Sequence, residues 1–95
     1  MKAKVQVILF SKARKYLISE GYRPHFKVIG NEVYLGVSFR EVPLNIEFNL
    51  KFECMVEFIY YKTVSEYSLL TPETKFKIME GANIVGEGKI LDLIK

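Results

Sequence analysis

Apolar and polar residues alternate with a period of two along most of this chain, and almost nowhere with the period of about 3.6 that marks an amphipathic helix. Lys4 to Phe10 (KVQVILF) is rich in β-branched and aromatic side chains and predicts a first strand, and Arg23 to Ile29 predicts a second. The intervening SKARKYLISEG reads as a loop. Gly30-Asn31 is a tight-turn signal, because both residues tolerate positive φ, and should join the second strand to a third. From Val33 to Phe39 the odd positions Val33, Leu35, Val37 and Phe39 are apolar. Gly36 and Ser38 lie opposite, with Tyr34 an aromatic exception on the outer face.

After Pro43 every even position from Leu44 to Tyr60 is apolar. A single straight strand of that length would reach about 55 Å at about 3.3 Å per residue, too long for one small domain. The segment must therefore bend, and a break is expected near Leu50 to Glu53. Thr74 to Met79 and Ile84 to Ile94 flank Glu80-Gly81-Ala82-Asn83, which reads as a hairpin turn. About six antiparallel strands, each with one buried face, are most economically arranged as an all-β, small closed antiparallel barrel, because closure removes exposed edges.

The length of 95 residues fits one domain spanning 1–95, and 49% hydrophobic with 26% charged residues supplies a core without disorder. No apolar run approaches the roughly 18 residues of a membrane span, and the N-terminus lacks a secretory pattern, so a cytoplasmic location and no membrane partner are expected. Cys54 is the sole cysteine, which excludes an internal disulfide and a multi-cysteine metal cluster; at an apolar-face position it reads as a small core residue. His25 is the sole histidine and Asp92 the sole aspartate, and no titrating neighbour in sequence orients His25 as a general base. There is no phosphate-binding G-x-x-x-x-G-K-[ST] loop. Gly86 and Gly88 read as places where the backbone bends or approaches another strand. Neither enzymatic activity nor a cofactor or metal is expected.

Charge is uneven. Residues 1 to 31 hold seven basic side chains against Glu20 alone, whereas the remainder holds seven basic against ten acidic. Such polarity suits a face for an anionic partner, and it also suits an ordinary solvated surface. The tyrosines could stack on bases, or simply pack.

Two segments resemble a known family. Gly21-Tyr22-Arg23-Pro24-His25-Phe26 is similar to the Gly-Tyr-Arg-Pro-Gln-Phe segment of the third, C-terminal domain of elongation factor Tu. Lys75 to Gly88 (KFKIMEGANIVGEG) resembles the same domain's closing hairpin, Arg-Phe-Ala-Ile-Arg-Glu-Gly-Gly-Arg-Thr-Val-Gly-Ala-Gly. The order and spacing suit a resemblance over nearly the whole chain, including a first strand followed by a serine at Val7 to Ser11. The resemblance implies a six-stranded antiparallel β-barrel that grips the T-stem backbone of aminoacyl-tRNA, packs on a GTPase domain and contacts an exchange factor. On the matching positions Arg23 becomes a phosphate-binding cation, and the Glu80-Gly81 turn approaches RNA through its backbone. Met79 and Asn83 replace the family's two hairpin arginines, and His25 replaces its glutamine. Ala13 to Leu17 replaces a His-Thr-Pro-Phe-Phe loop, and the family's Pro-Gly-Asp turn is missing from Leu44 to Tyr60.

The expectation is thus a free-standing, non-catalytic module binding tRNA-like RNA or a translation-machinery protein, with no GTP binding by this chain. Its contacts are expected at Lys12, Arg14, Lys15, Arg23, His25, Glu80 and Gly81. A different possibility is a protein-interaction barrel of the immunity or inhibitor type with no RNA ligand.

Overall fold

The computed structural model describes residues 1–30, 34–59 and 70–94. Six strands, β1 (Lys2–Leu9), β2 (His25–Val28), β3 (Tyr34–Arg40), β4 (Phe52–Phe58), β5 (Lys75–Glu80) and β6 (Asn83–Ile94), close into an antiparallel barrel in the order β1-β4-β3-β2-β5-β6. The N-terminal strand closes the ring by pairing with both β4 and β6. Register shifts at Lys4/Val5 and Ile78/Met79 add the local twist that a small ring needs.

Alternation decides what fills the barrel. Val5, Val7, Leu9, Phe26, Leu35, Val37, Phe39, Cys54, Val56, Phe58, Phe76, Ile78 and Ile90 all point inward and are buried. Phe26 sits at the centre of an aromatic cluster, stacked on Phe76 at 3.8 Å and edge-on to Phe39 and Phe58. Ile18, from the loop after β1, and Leu70, before β5, complete the buried core.

Gly86 and Gly88 take inward positions on β6, facing Ile78 and Phe76 on β5. A Cβ at Gly86 would lie 2.4 Å from the Ile8 carbonyl oxygen, and one at Gly88 2.3 Å from that of Gln6 and 2.8 Å from Val7 Cγ1. These two glycines therefore mark close backbone approach, as the sequence suggested, and Ile78 and Phe76 fill the space that their side chains would have taken.

Three expectations need correction or narrowing. The stretch 44–50 is not a strand, despite its alternation: Leu44 and Leu50 are exposed, and only Ile46 and Phe48 tuck against the core. The break falls in the expected Leu50 to Glu53 window, because β4 begins at Phe52. Gly36 and Ser38 are not half-buried partners of an inward row, since the middle of β3 is buried on both faces. The second strand is shorter than Arg23 to Ile29, although residues 21–24 still pair with β3: Gly21 N–H donates to Phe39 O, Phe39 N–H to Tyr22 O and Val37 N–H to Pro24 O. Pro24, having no N–H, takes part only as an acceptor. Gly30 has φ of 88°, while Asn31 and Val33, assigned to the turn and the third strand, lie outside the described residues.

No helix among the described residues is long and apolar enough to cross a membrane.

Candidate functional site

Strand direction gathers the expected residues at one end of the barrel. The C-terminal ends of β1, β3 and β5 and the N-terminal ends of β2, β4 and β6 all meet there. That end carries the 10–24 loop, the 41–51 loop and the Gly81-Ala82 turn. Lys12, Arg14, Lys15, Arg23, His25, Glu80 and Gly81 therefore share one end although they come from three separate parts of the chain.

The long loop is held by the backbone of neighbouring elements. Phe10 N–H donates to Val85 O, and Ala13 and Arg14 N–H both donate to Phe10 O, which makes a tight turn beside the start of β6. Asn49, at φ 64°, clasps the second loop to the first: its N–H donates to Leu9 O, its Nδ2 donates to Ser11 Oγ, and its Oδ1 accepts from Ser11 N–H. The Glu20 carboxylate accepts from Glu41 and Val42 N–H at 3.0 and 3.2 Å, steadying the left-handed turn at Glu41. Gly21, at φ 84°, lets the chain leave this loop and align with β3, a conformation in which any Cβ is strained.

Tyr22 joins the 21–26 segment to the closing hairpin. Its hydroxyl donates to Glu80 Oε2 at 2.5 Å, across 58 residues of sequence. Arg14 Nε bonds the same oxygen at 3.0 Å, and its guanidinium lies 4.8 Å from the Tyr22 ring centroid. The Tyr22 ring packs in turn on Phe39, at 5.4 Å. Burial, and then the hydrogen bond to Glu80, push the Tyr22 phenol far above its ordinary range, so it stays protonated as a donor.

This arrangement divides the candidate cations. Arg14 is 19% exposed and spent on Glu80, with Nη1 buried and unpartnered among the described residues, so it is less an exposed loop charge than an organiser of the site. Lys12, Lys15 and Arg23 are exposed and form no ion pair among the described residues; Lys15 Nζ stands 5.6 Å from the Tyr16 ring. His25 is exposed on the outer face of β2, with its ring 6.0 Å from that of Tyr34. With its charge compensated by Arg14, Glu80 repels an incoming anion less, and the Gly81 backbone is left exposed beside it.

The same end also carries exposed apolar side chains. Tyr16 is 69% exposed, and Leu17, Leu44, Leu50 and Ile84 are exposed as well.

Among the described residues no three His, Cys, Asp or Glu side chains are placed to hold a metal ion. Cys54 lies inside the barrel, and burial, with a smaller push from the Glu20 charge, raises its thiol from 9.0 to about 12. Both raised groups give the same sign of pH dependence. The unfolded chain ionises Cys54 and Tyr22 near their ordinary values, so their contribution to stability is complete below about pH 9 and is lost as pH climbs through the folded values. Urea unfolding midpoints should therefore fall between pH 9 and 11, and fall less steeply for Cys54→Ala; a flat profile would show that neither group is protected.

No protein-family model matches the chain, and no curated protein matches it in sequence.

Proposed function

We propose that this barrel is a non-catalytic binding module, acting in the cytoplasm in translation, that holds structured, tRNA-like RNA at its loop end. Lys12, Lys15 and Arg23 serve as phosphate contacts and the Gly81 turn as the point of backbone approach. The resemblance to the third domain of elongation factor Tu rests on the two sequence segments, and a closed six-stranded antiparallel barrel agrees with it. The observation that carries the reading is the meeting of those segments through Tyr22 and Glu80, beside three exposed cations that form no ion pair among the described residues.

A second reading has its own observation. Tyr16, Leu17, Leu44, Leu50 and Ile84 expose apolar surface at the same end, as a protein-docking face does. Salt separates the two, because phosphate contacts release counterions whereas an apolar interface does not depend on them. Replacing Lys12 and Lys15 together by Gln should weaken tRNA binding and flatten the plot of log affinity against log salt by about one to two units, with little change in thermal midpoint. Arg14 is left intact in this test, since its loss would disturb Tyr22 and Glu80. A wild-type domain with no measurable affinity for tRNA or other structured RNA at low salt would move the assignment to a protein partner.

A further inference from the structure

The outer wall made by β2, β5 and β6 carries an arrangement that a solvated surface ordinarily avoids. Lys27 lies directly across from Lys77, and Lys75 directly across from Lys89, so like charges face each other twice on adjoining strands. Such pairs destabilise a sheet, and here they sit side by side. Around Lys75, Lys77 and Lys89 the described acids compensate only in part. Glu73 holds Lys89 at 3.2 Å, and Glu87 lies across from Lys77 without an ion pair between them. Lys75 and Lys77 form no ion pair among the described residues.

Aromatic groups interleave with these cations. Tyr34 is exposed on the outer face of β3 directly across from Lys27, whose Nζ is 6.0 Å from its ring, and His25 stands beside it. A depression of about 470 Å³ opens along the same wall beside Lys75 and Lys89, lined also by Lys51, Glu87, Gln6, Ile8 and Ile29. Its volume falls in the range of clefts that hold small-molecule-sized groups. Arg23, His25 and Lys27 follow one another on the same side of the chain, so the wall continues the cationic surface of the loop end.

We infer that this wall is a phosphate-backbone site for a single-stranded stretch of RNA, with Lys27, Lys75, Lys77 and Lys89 meeting the phosphates and Tyr34 and His25 offering faces for the bases. Cations flanking exposed rings are the combination that unpaired nucleotides use, whereas a regular duplex keeps its bases stacked out of reach. The inference rests on the RNA reading above and extends it from the loop end to the side of the barrel.

The test uses a fluorescein-labelled oligouridylate about twelve nucleotides long, within the roughly 4 to 16 nucleotides that a small barrel covers. It is titrated with the wild-type domain, with Lys75→Gln/Lys77→Gln, with Tyr34→Leu, and with Lys12→Gln/Lys15→Gln. The wall double variant should bind about tenfold or more weakly at low salt, and its salt slope should be shallower by about 1.4, two contacts' worth for a single strand. Its thermal midpoint should equal or exceed that of the wild type, because the Lys75–Lys89 like-charge pair has been removed. A lowered midpoint would contradict the repulsion argument. Wild-type protein without affinity for the oligonucleotide, or a wall variant as tight and as salt-dependent as wild type, overturns the wall site. If structured RNA still binds and yields only to Lys12→Gln/Lys15→Gln, the loop-end reading survives without the wall. If the oligouridylate yields to the wall variants while structured RNA is indifferent to Lys12→Gln/Lys15→Gln, the wall stands and the loop-end reading falls.

Discussion

Gly88→Ala is expected to unfold the domain or to leave it barely folded at room temperature. The added methyl carbon would stand 2.3 Å from the Gln6 carbonyl oxygen and 3.0 Å from Phe76 Cζ, with Val7 Cγ1 at 2.8 Å. A rotamer change could move Val7, but the carbonyl belongs to a paired strand and can retreat only if β1 and β6 separate. Overpacking of this kind costs about 3 kcal/mol or more, which in a domain of this size lowers the thermal midpoint by about 12 to 24 °C. Gly81→Ala is the control, since nothing lies within 4 Å of its Cβ position and only its φ of 61° opposes a side chain. It should cost about 1 kcal/mol. Thermal melts of the two variants distinguish a steric from a conformational requirement, and equal losses would mean that the β1–β6 approach is not tight.

Neighbours in one strand should respond in opposite ways. Phe39→Ala empties a position at the heart of the barrel, against Phe26 and Tyr22, and should cost about 3 to 5 kcal/mol. Ser38 is 1% exposed and its hydroxyl has no hydrogen-bond partner among the described residues. Removing an unsatisfied buried hydroxyl relieves a desolvation penalty, so Ser38→Ala should be neutral or slightly stabilising. Urea denaturation of both variants checks the register of β3; a large loss at Ser38 would mean that its hydroxyl is satisfied.

The contrast between these two residues also shows where the sequence was legible. Period-two alternation placed all six strands within a few residues of their ends, because each strand needs an apolar face whatever surrounds it. The same rule misread Leu44 to Leu50, since alternation by itself does not tell a strand from a loop in which Ile46 and Phe48 reach inward. Asn49 was the overlooked signal: asparagine tolerates the left-handed conformation that turns the chain into β4, in a segment without glycine. Burial of Gly36 and Ser38 from outside was not visible, because periodicity describes a strand's own faces and not what covers them.

The site was legible as residue types but not as partnerships. Arg14 read as a free loop cation because its partner, Glu80, lies far along the chain, and Tyr22 read as a motif residue and a stacking or packing ring, without its bond to Glu80. Lys27, Lys75 and Lys77 were counted as ordinary charges until the register set them across from one another and from Lys89. Net charge had directed attention to the first third of the chain, whereas strand pairing extends the cationic surface along β5 and β6.

The most direct measurement is an amide chemical-shift titration of the wild-type domain with structured RNA at low salt. RNA binding through the loop end and its adjoining wall should shift the amides of 11–23, Gly81 and Ala82, with those of Lys27, Lys75 and Lys77 following. Added salt should reverse all of these shifts together. An absence of shifts, or shifts confined to the opposite end around Gly30 and Thr71 to Thr74, would contradict the assignment of this barrel as an RNA-binding module.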